Sequence, residues 1–205
     1  MTHLTRRLLV ATHNEGKVRE YADILGDLGI EWLTLDAAGV SNDVAETEDT
    51  FYGNAVLKAT AYAQQTGLLT LADDSGLEVD ALDGRPGVLS ARYGGPGLSA
   101  VDRYQRLLGE LRDVPAERRT ARFHCVTALA APDGALLATA DGVCEGVIAL
   151  GPSGDGGFGY DPVFFLPQYG QTMAQLDAGE KNRISHRGRA AAAIAPDLRR
   201  ALAGR

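Results

Sequence analysis

Apolar residues recur along this chain in two rhythms, and the elements they predict alternate. Leu8 to Ala11, "LLVA", reads as a short buried strand. Val18, Tyr21, Ala22, Leu25 and Leu28 then fall at helical spacing, with Thr12 and Glu15 placed to form a capping box and Gly29 as the stop. "EWLTL" returns as a strand, and "TFYGNAVLKATAYAQQTG" is a second, alanine-rich helix closed by Gly67. "LLTLAD" is a strand that delivers Asp73 and Asp74 and is expected to stop at Ser75-Gly76. Asp102 to Leu111 reads as a third helix. "TARFHCVTALAAPDGALLATADGVCEGVIA" is β-branched in places and broken by Pro-Asp-Gly, the signal of a hairpin. A short apolar strand is expected in "PVFFLP". "SHRGRAAAAIAPDLRRAL" is helical, with Ser185 as N-cap and Pro196 as the point where it kinks or restarts. Alternating strands and helices argue for an α/β protein, and the hairpin makes the sheet mixed. The expected fold is an elongated mixed central β-sheet flanked by helices, with two lobes and an active-site cleft between them. Residues 1–205 are expected to form this one domain.

Bulk properties narrow the function classes. The chain has 205 residues and a net charge of -7, which argues against a broad nucleic-acid or anionic-membrane footprint. An acidic protein that holds a small polyanion needs local Lys or Arg, backbone N–H groups or a metal ion. No apolar run reaches the ~18 residues of a membrane span, and "LLVA" is too short for a signal-peptide core. A cytoplasmic protein is expected. Cys125 and Cys144 lack metal-ligand spacing and are expected as buried free thiols of a hairpin, with a cross-strand disulfide as the alternative.

Five segments carry candidate chemistry. "ATHNEGK", Ala11 to Lys17, joins a strand to a helix, where backbone N–H groups and Lys17 favour an anion and Thr12 and Asn14 add polar groups. It is not a P-loop, because Ala11 and Val18 stand where that motif needs glycine and a hydroxyl. "AETEDTF" lies among four acids, Asp43, Glu46, Glu48 and Asp49. In "LADDSG" the alternation of a strand sends Asp73 and Asp74 to opposite faces. One is then expected to support backbone or a turn. Asp74, nearer the carboxyl end of the strand, is the better candidate for an active group. "GGFGYDP" brackets Phe158 with glycine, so Phe158 is placed to stack on a flat ring and Asp161 to accept hydrogen bonds from it. Lys181, Arg183, His186, Arg187 and Arg189 put five cationic groups in nine residues around a helix start, where an anionic or carbonyl-bearing ligand would relieve the conflict with the dipole.

Taken in order, "VATHNEGKVREYADIL", "ETEDTFYGNAVLKA", "ADDSGLEVDALDGRPGVLSARYGG", "RFHC", "GGFGYDPVFF" and "EKNRISHRG" resemble the inosine/xanthosine triphosphate pyrophosphatases almost end to end. The resemblance implies hydrolysis of ITP, dITP and XTP to monophosphate and pyrophosphate with Mg²⁺, by a homodimer; that neither nucleic acid nor membrane is a partner is the expectation from the charge and the short apolar runs. It also implies roles. The loop of Thr12, His13, Asn14, Glu15, Gly16 and Lys17 would hold the triphosphate. Glu46 and Asp74 would hold the metal, with Asp74 the general base, Lys17 assisting and Ser75 beside the substrate. Phe158, Gly159, Tyr160 and Asp161 would hold the base, with Lys181, His186 and Arg187 closing over it. Gly53, Arg103 and Gln175 depart from the family's usual glutamate, asparagine and glutamate. A nucleotide-binding module without hydrolysis, or a phosphatase for other nucleotides, would account for fewer of these motifs.

Overall fold

The structure is a computed structural model that describes residues 6–204; residues 1–5 and 205, part of the expected 1–205 domain, lie outside the described residues. The first strand, β1 (Arg6–Val10), has Leu8, Leu9 and Val10 sealed, the continuous apolar run of a strand covered on both faces. Helix α1 (Glu15–Leu25) crosses to β2 (Ile30–Leu33), which pairs parallel to β1 with Leu8 opposite Trp32. Helix α2 (Phe51–Thr66) leads to β3 (Leu69–Val79), parallel to β1 on its other side. Helix α3 (Ala100–Glu110) precedes β4 (Thr120–Ala130) and β5 (Leu136–Ile148), which turn through the expected Pro-Asp-Gly segment. Strands β6 (Phe164–Leu166) and β7 (Gln171–Thr172) add antiparallel pairs, and α4 (Ala178–Ile184) and α5 (His186–Ala203) close the chain. The result is the expected α/β fold, a mixed seven-stranded sheet in the order β2-β1-β3-β4-β5-β6-β7 flanked by helices.

The chain divides into two compact units. The first holds the residues through Asp74, Cys125–Gly142 and those from His186 onward; the second holds Ser75–His124 and Val143–Ser185. In the first, Val18, Tyr21 and Leu25 of α1 and Ala191, Ile194, Leu198 and Leu202 of α5 pack with Leu8, Val10, Leu69 and Leu71. In the second, Leu77, Val79, Leu107, Leu111, Phe123 and Phe164 form the core, with the rings of Phe123 and Phe164 4.4 Å apart at their centroids. Arg119 is buried there. Its guanidinium donates to the carbonyls of Leu111, Val114 and Ala149, tying the chain after α3 to the end of β5.

Several local expectations change. Asn14, not Thr12, caps α1: its carboxamide oxygen accepts from the Gly16 and Lys17 N–H groups, while Thr12 Oγ1 accepts from the Asn14 N–H. A side chain at Gly16 would crowd that oxygen. The helix ends at Leu25 because Gly26 takes a positive φ of 71°, three residues before Gly29. Strand β3 does not stop at Ser75-Gly76. Leu77 and Val79 beyond it are fully buried, and the Leu77 N–H donates to Ser90 Oγ at 2.8 Å, so continued extension is rewarded on both counts. Helix α3 starts two residues early, at a capping box between Ser99 and Asp102. Ser185 keeps the place expected of it, extended and immediately before His186 opens α5, and it also closes α4. Pro196 neither kinks nor restarts α5, which runs unbroken through it. Its ring lies on the exposed side, as does Ala192, whose carbonyl loses its donor to solvent, while Ile194 and Leu198 hold both halves in one core. Cys125 and Cys144 are buried and not joined in a disulfide, so that alternative falls.

Candidate active site

Asp73 and Asp74 leave β3 on opposite faces, as the alternation requires, and each finds cations. Asp73 is 2% exposed and holds no turn, contrary to expectation. Both its oxygens lie 3.3 Å from Lys17 Nζ, and its Oδ2 accepts from Arg187 Nε and Nη2 at 3.3 and 3.2 Å. Arg187 Nη1 turns to Glu20 at 2.9 Å. Burial works to raise the Asp73 pKa, but Lys17 and Arg187, then Lys58, outweigh it and hold the carboxyl well below the usual carboxylate range. Arg187 is buried too, and despite that burial the charge of Asp73 keeps it protonated. The Cys125 thiol against Asp73 is pushed up to about 12 by burial and then by that charge, so it is no nucleophile at neutral pH.

On the other face, Asp74 meets α2. Asn54 Nδ2 donates to Asp74 Oδ2 at 3.1 Å, and Lys58 Nζ stands 3.5 Å from Asp74 Oδ1. The same ammonium donates to Glu46 at 2.6 Å. The two predicted metal-holding carboxylates are therefore brought to one point, and a cation is already there. Burial first, then the charge of Glu46, raises the Asp74 pKa against the pull of Lys58 and the Asn54 bond. The donor set is hard oxygen and suits Mg²⁺, which takes one or two protein carboxylates and completes its shell from water and phosphate. Among the described residues no group of three or more His, Cys, Asp or Glu is placed to hold a metal ion. Gly53 also finds a reason here. A side chain at this position would collide with Glu48. The Glu48 backbone is pinned to Asn54 by paired bonds of 3.0 and 3.1 Å, and Asn54 in turn orients Asp74.

The remaining predicted residues of the first unit are at or near its surface, except His186. His13 bridges Asp36 and Asp43 at 2.8 and 3.1 Å, and the Asp36 bond raises its pKa. Glu15 is exposed beside Arg19 in the first turn of α1. His186 is buried, in the opening turn of α5. Gly142 of β5 makes room for that turn. A Cβ there would overlap the His186 carbonyl and the Ala190 amide nitrogen, both backbone and unable to yield. Gly142→Ala is expected to destabilise the protein by roughly 3 kcal/mol and to lower activity by moving Arg187; urea unfolding and a turnover assay check both.

The second unit assembles the aromatic cluster. Asp161 Oδ2 accepts from the Phe158 N–H at 2.8 Å and from Lys181 Nζ at 2.9 Å, and the Lys181 ammonium lies 4.6 Å from the centre of the Phe158 ring. Gly157 turns the loop with φ 71°, and a Cβ on it would overlap the Asp161 carboxylate. Tyr160 anchors the loop from below, its hydroxyl donating to the Ser90 carbonyl at 2.9 Å. Phe158 itself stays 46% exposed, an aromatic face open to a ligand. Ser75 is half-buried on β3 directly after Asp74. Gln175 closes a capping box on Thr172, which a glutamine does as well as a glutamate.

Lys58, Asn54 and Glu20 are the members that sequence reasoning missed. Asn54 and Lys58 carried a signal: two polar residues one turn apart on an alanine-rich helix, among the apolar positions that pack. Glu20 carried none.

Residues 8–197 match the family model described as the Ham1 family. The chain is 54% identical over 189 residues to a dITP/XTP pyrophosphatase of Nitratidesulfovibrio vulgaris, covering 89% of this chain and 91% of the relative. It is 51% identical over 185 residues to a dITP/XTP pyrophosphatase of Geobacillus kaustophilus, covering 90% of each. A solved HAM1 protein from Coxiella burnetii aligns with a TM-score of 0.86 at 42% identity, over 95% of this chain and 98% of that one. The nucleoside-triphosphatase or dITP/XTP pyrophosphatase of Mycobacterium abscessus aligns at 0.75 and 42% identity, over 93% and 99%. With the family model spanning nearly the whole chain, this protein belongs to the Ham1 family.

Proposed function

We propose that the protein is a hydrolase that cleaves deaminated purine nucleoside triphosphates, ITP, dITP and XTP, between the α- and β-phosphates. The products are the nucleoside monophosphate and pyrophosphate, so the reaction clears these nucleotides from the pool. The observation that carries this reading is the convergence of Asp74 and Glu46 on one cationic point at β3. The names of the relatives supply the substrate class.

Glu46 and Asp74 would hold Mg²⁺, which when bound draws charge from the phosphates. Thr12 to Lys17 are assigned to the triphosphate, with the Lys17 ammonium adding positive charge. Asp74 accepts a proton from the attacking water. The water oxygen bonds to the α-phosphorus, the bond from that phosphorus to the bridging oxygen breaks, and pyrophosphate leaves. Most of the catalytic effect is positioning and electrostatics, as in other phosphoryl transfers. Phe158 stacks on the base, and Lys181, held by Asp161, donates toward it. Ser75 lies beside the substrate. His186 and Arg187 act from the start of α5, Arg187 through its hold on Asp73 and hence on Lys17. A donor aimed at O6 meets an acceptor in hypoxanthine and xanthine and a donor in adenine, a buried mismatch able to discriminate by ~10⁴. A cytoplasmic homodimer belongs to the same proposal; two buried cysteines without a disulfide suit a reducing compartment. Among the described residues no helix is long and apolar enough to cross a membrane.

The test is pyrophosphate release from ITP, dITP, XTP, ATP and GTP with Mg²⁺ and then with EDTA. Metal-dependent release from the deaminated nucleotides is expected, with ATP spared. Orthophosphate release, or equal use of ATP, would refute the base assignment. ITP binding without any release would make the protein a nucleotide-binding module.

A further inference from the structure

Helix α2 grips both oxygens of Asp74 from one side, Asn54 at Oδ2 and Lys58 at Oδ1. Lys58 does more, since its ammonium also ties Glu46 to the same point at 2.6 Å. Its side chain is 12% exposed and that of Asp74 10%, with Glu46 at 27% on the outer side, so water screens the Lys58–Asp74 pair only weakly. Two carboxylates and one ammonium carry a net charge of -1. The neighbouring cluster of Asp73, Glu20, Lys17 and Arg187 is balanced, two charges of each sign, and adds no surplus.

A divalent cation entering this trio alone would leave it at +1 in a weakly screened place, with the ammonium beside the metal. Both effects oppose binding. A triphosphate reverses the balance, because its oxygens supply negative charge to the metal and the ammonium together. Lysine is the suitable residue, a compact charge on a flexible stem that can share or yield its acceptors, where arginine would hold them in a rigid fork.

We propose that Lys58 is a positioning residue that makes metal binding conditional on nucleotide: its ammonium stands in as the counter-cation of Glu46 and Asp74 in the nucleotide-free protein, and a divalent metal binds tightly only together with the triphosphate. This rests on the reading of Glu46 and Asp74 as the metal-holding pair.

The experiment uses Mn²⁺ alone, titrated by calorimetry into nucleotide-free wild type, Lys58→Met, Lys58→Gln and the double variant Lys58→Met/Glu46→Gln. Both single variants are expected to bind Mn²⁺ at least about tenfold more tightly than wild type. The double variant is expected to lose the gain. Mn²⁺ should raise the melting temperature of the single variants more than that of wild type, since a ligand that binds only the folded state stabilises it. Should removal of the ammonium unfold the protein, folding of both variants on adding Mn²⁺ supports the substitution of metal for lysine. Affinity equal to or weaker than wild type in both folded variants overturns the proposal, as does a double variant that keeps the gain. No substrate enters the titration. A wild-type protein that hydrolyses no triphosphate therefore defeats the functional reading while the Mn²⁺ comparison remains decisive for Lys58.

Discussion

Turnover of ITP is expected to fall by roughly 10²-fold or more in Asp74→Asn. The amide keeps the shape of the side chain and an oxygen for a cation, but it cannot take a proton from water. Asp74 suits that task in this structure. In the metal-free protein burial and the nearby Glu46 raise its pKa above the ordinary carboxylate value. Asn54 holds its Oδ2 at 3.1 Å, so the carboxylate is oriented before the reaction begins. Glu46→Gln provides the contrast. That variant is expected to need more Mg²⁺ but to recover much of its turnover at saturating metal, whereas Asp74→Asn is not rescued. Steady-state kinetics across a Mg²⁺ series separates the two. Near-normal turnover in Asp74→Asn would remove the general-base role.

Arg187→Met is expected to lower the unfolding free energy by roughly 3–5 kcal/mol, the usual cost of breaking a buried pair from one side. For a chain of this size that is a drop on the order of 10 °C in melting temperature. Arg187 is 3% exposed and Asp73 2%, so little solvent takes over the lost bonds, and Lys17 remains as the ammonium against Asp73. The effect carries a pH signature. Asp73 titrates lower in the folded chain than its unfolded value of about 3.9. Its stabilisation is therefore complete above pH 4 and is lost as pH falls through the folded pKa. The gap between wild type and Arg187→Met should be widest near neutrality and narrow in acid. Urea unfolding at several pH values measures it; a gap that does not change with pH would mean that Asp73 is not the partner that matters.

Much of this was legible in the residues. The apolar run of Leu8 to Val10, the spacing of Val18, Tyr21 and Leu25, and the Pro-Asp-Gly turn each have a local cause, and each element formed where that cause lies. Errors fell at boundaries, where local signals compete with burial. Gly76 looks like a stop, yet Leu77 and Val79 keep β3 extended because a core is waiting for them. Pro196 looks like a break, yet Ile194 and Leu198 hold α5 together. Phe158 and Asp161 lie three residues apart, and their link, closed with Lys181, forms inside one glycine-rich loop and one short helix.

The chain's own order of residues thus settles which elements form and which side chains are chemically able to hold a nucleotide, because propensity, alternation and motif spacing act over a few residues. It could not settle partners. That Asp73 is shared by Lys17 and Arg187, 56 and 114 positions away, depends on α1 and α5 packing on the same sheet. That Lys58 stands where Glu46 and Asp74 meet depends on how α2 lies against β3. Such neighbours are chosen by burial, which makes an unpaired charge costly and so selects the packing in which each one finds its counter-ion.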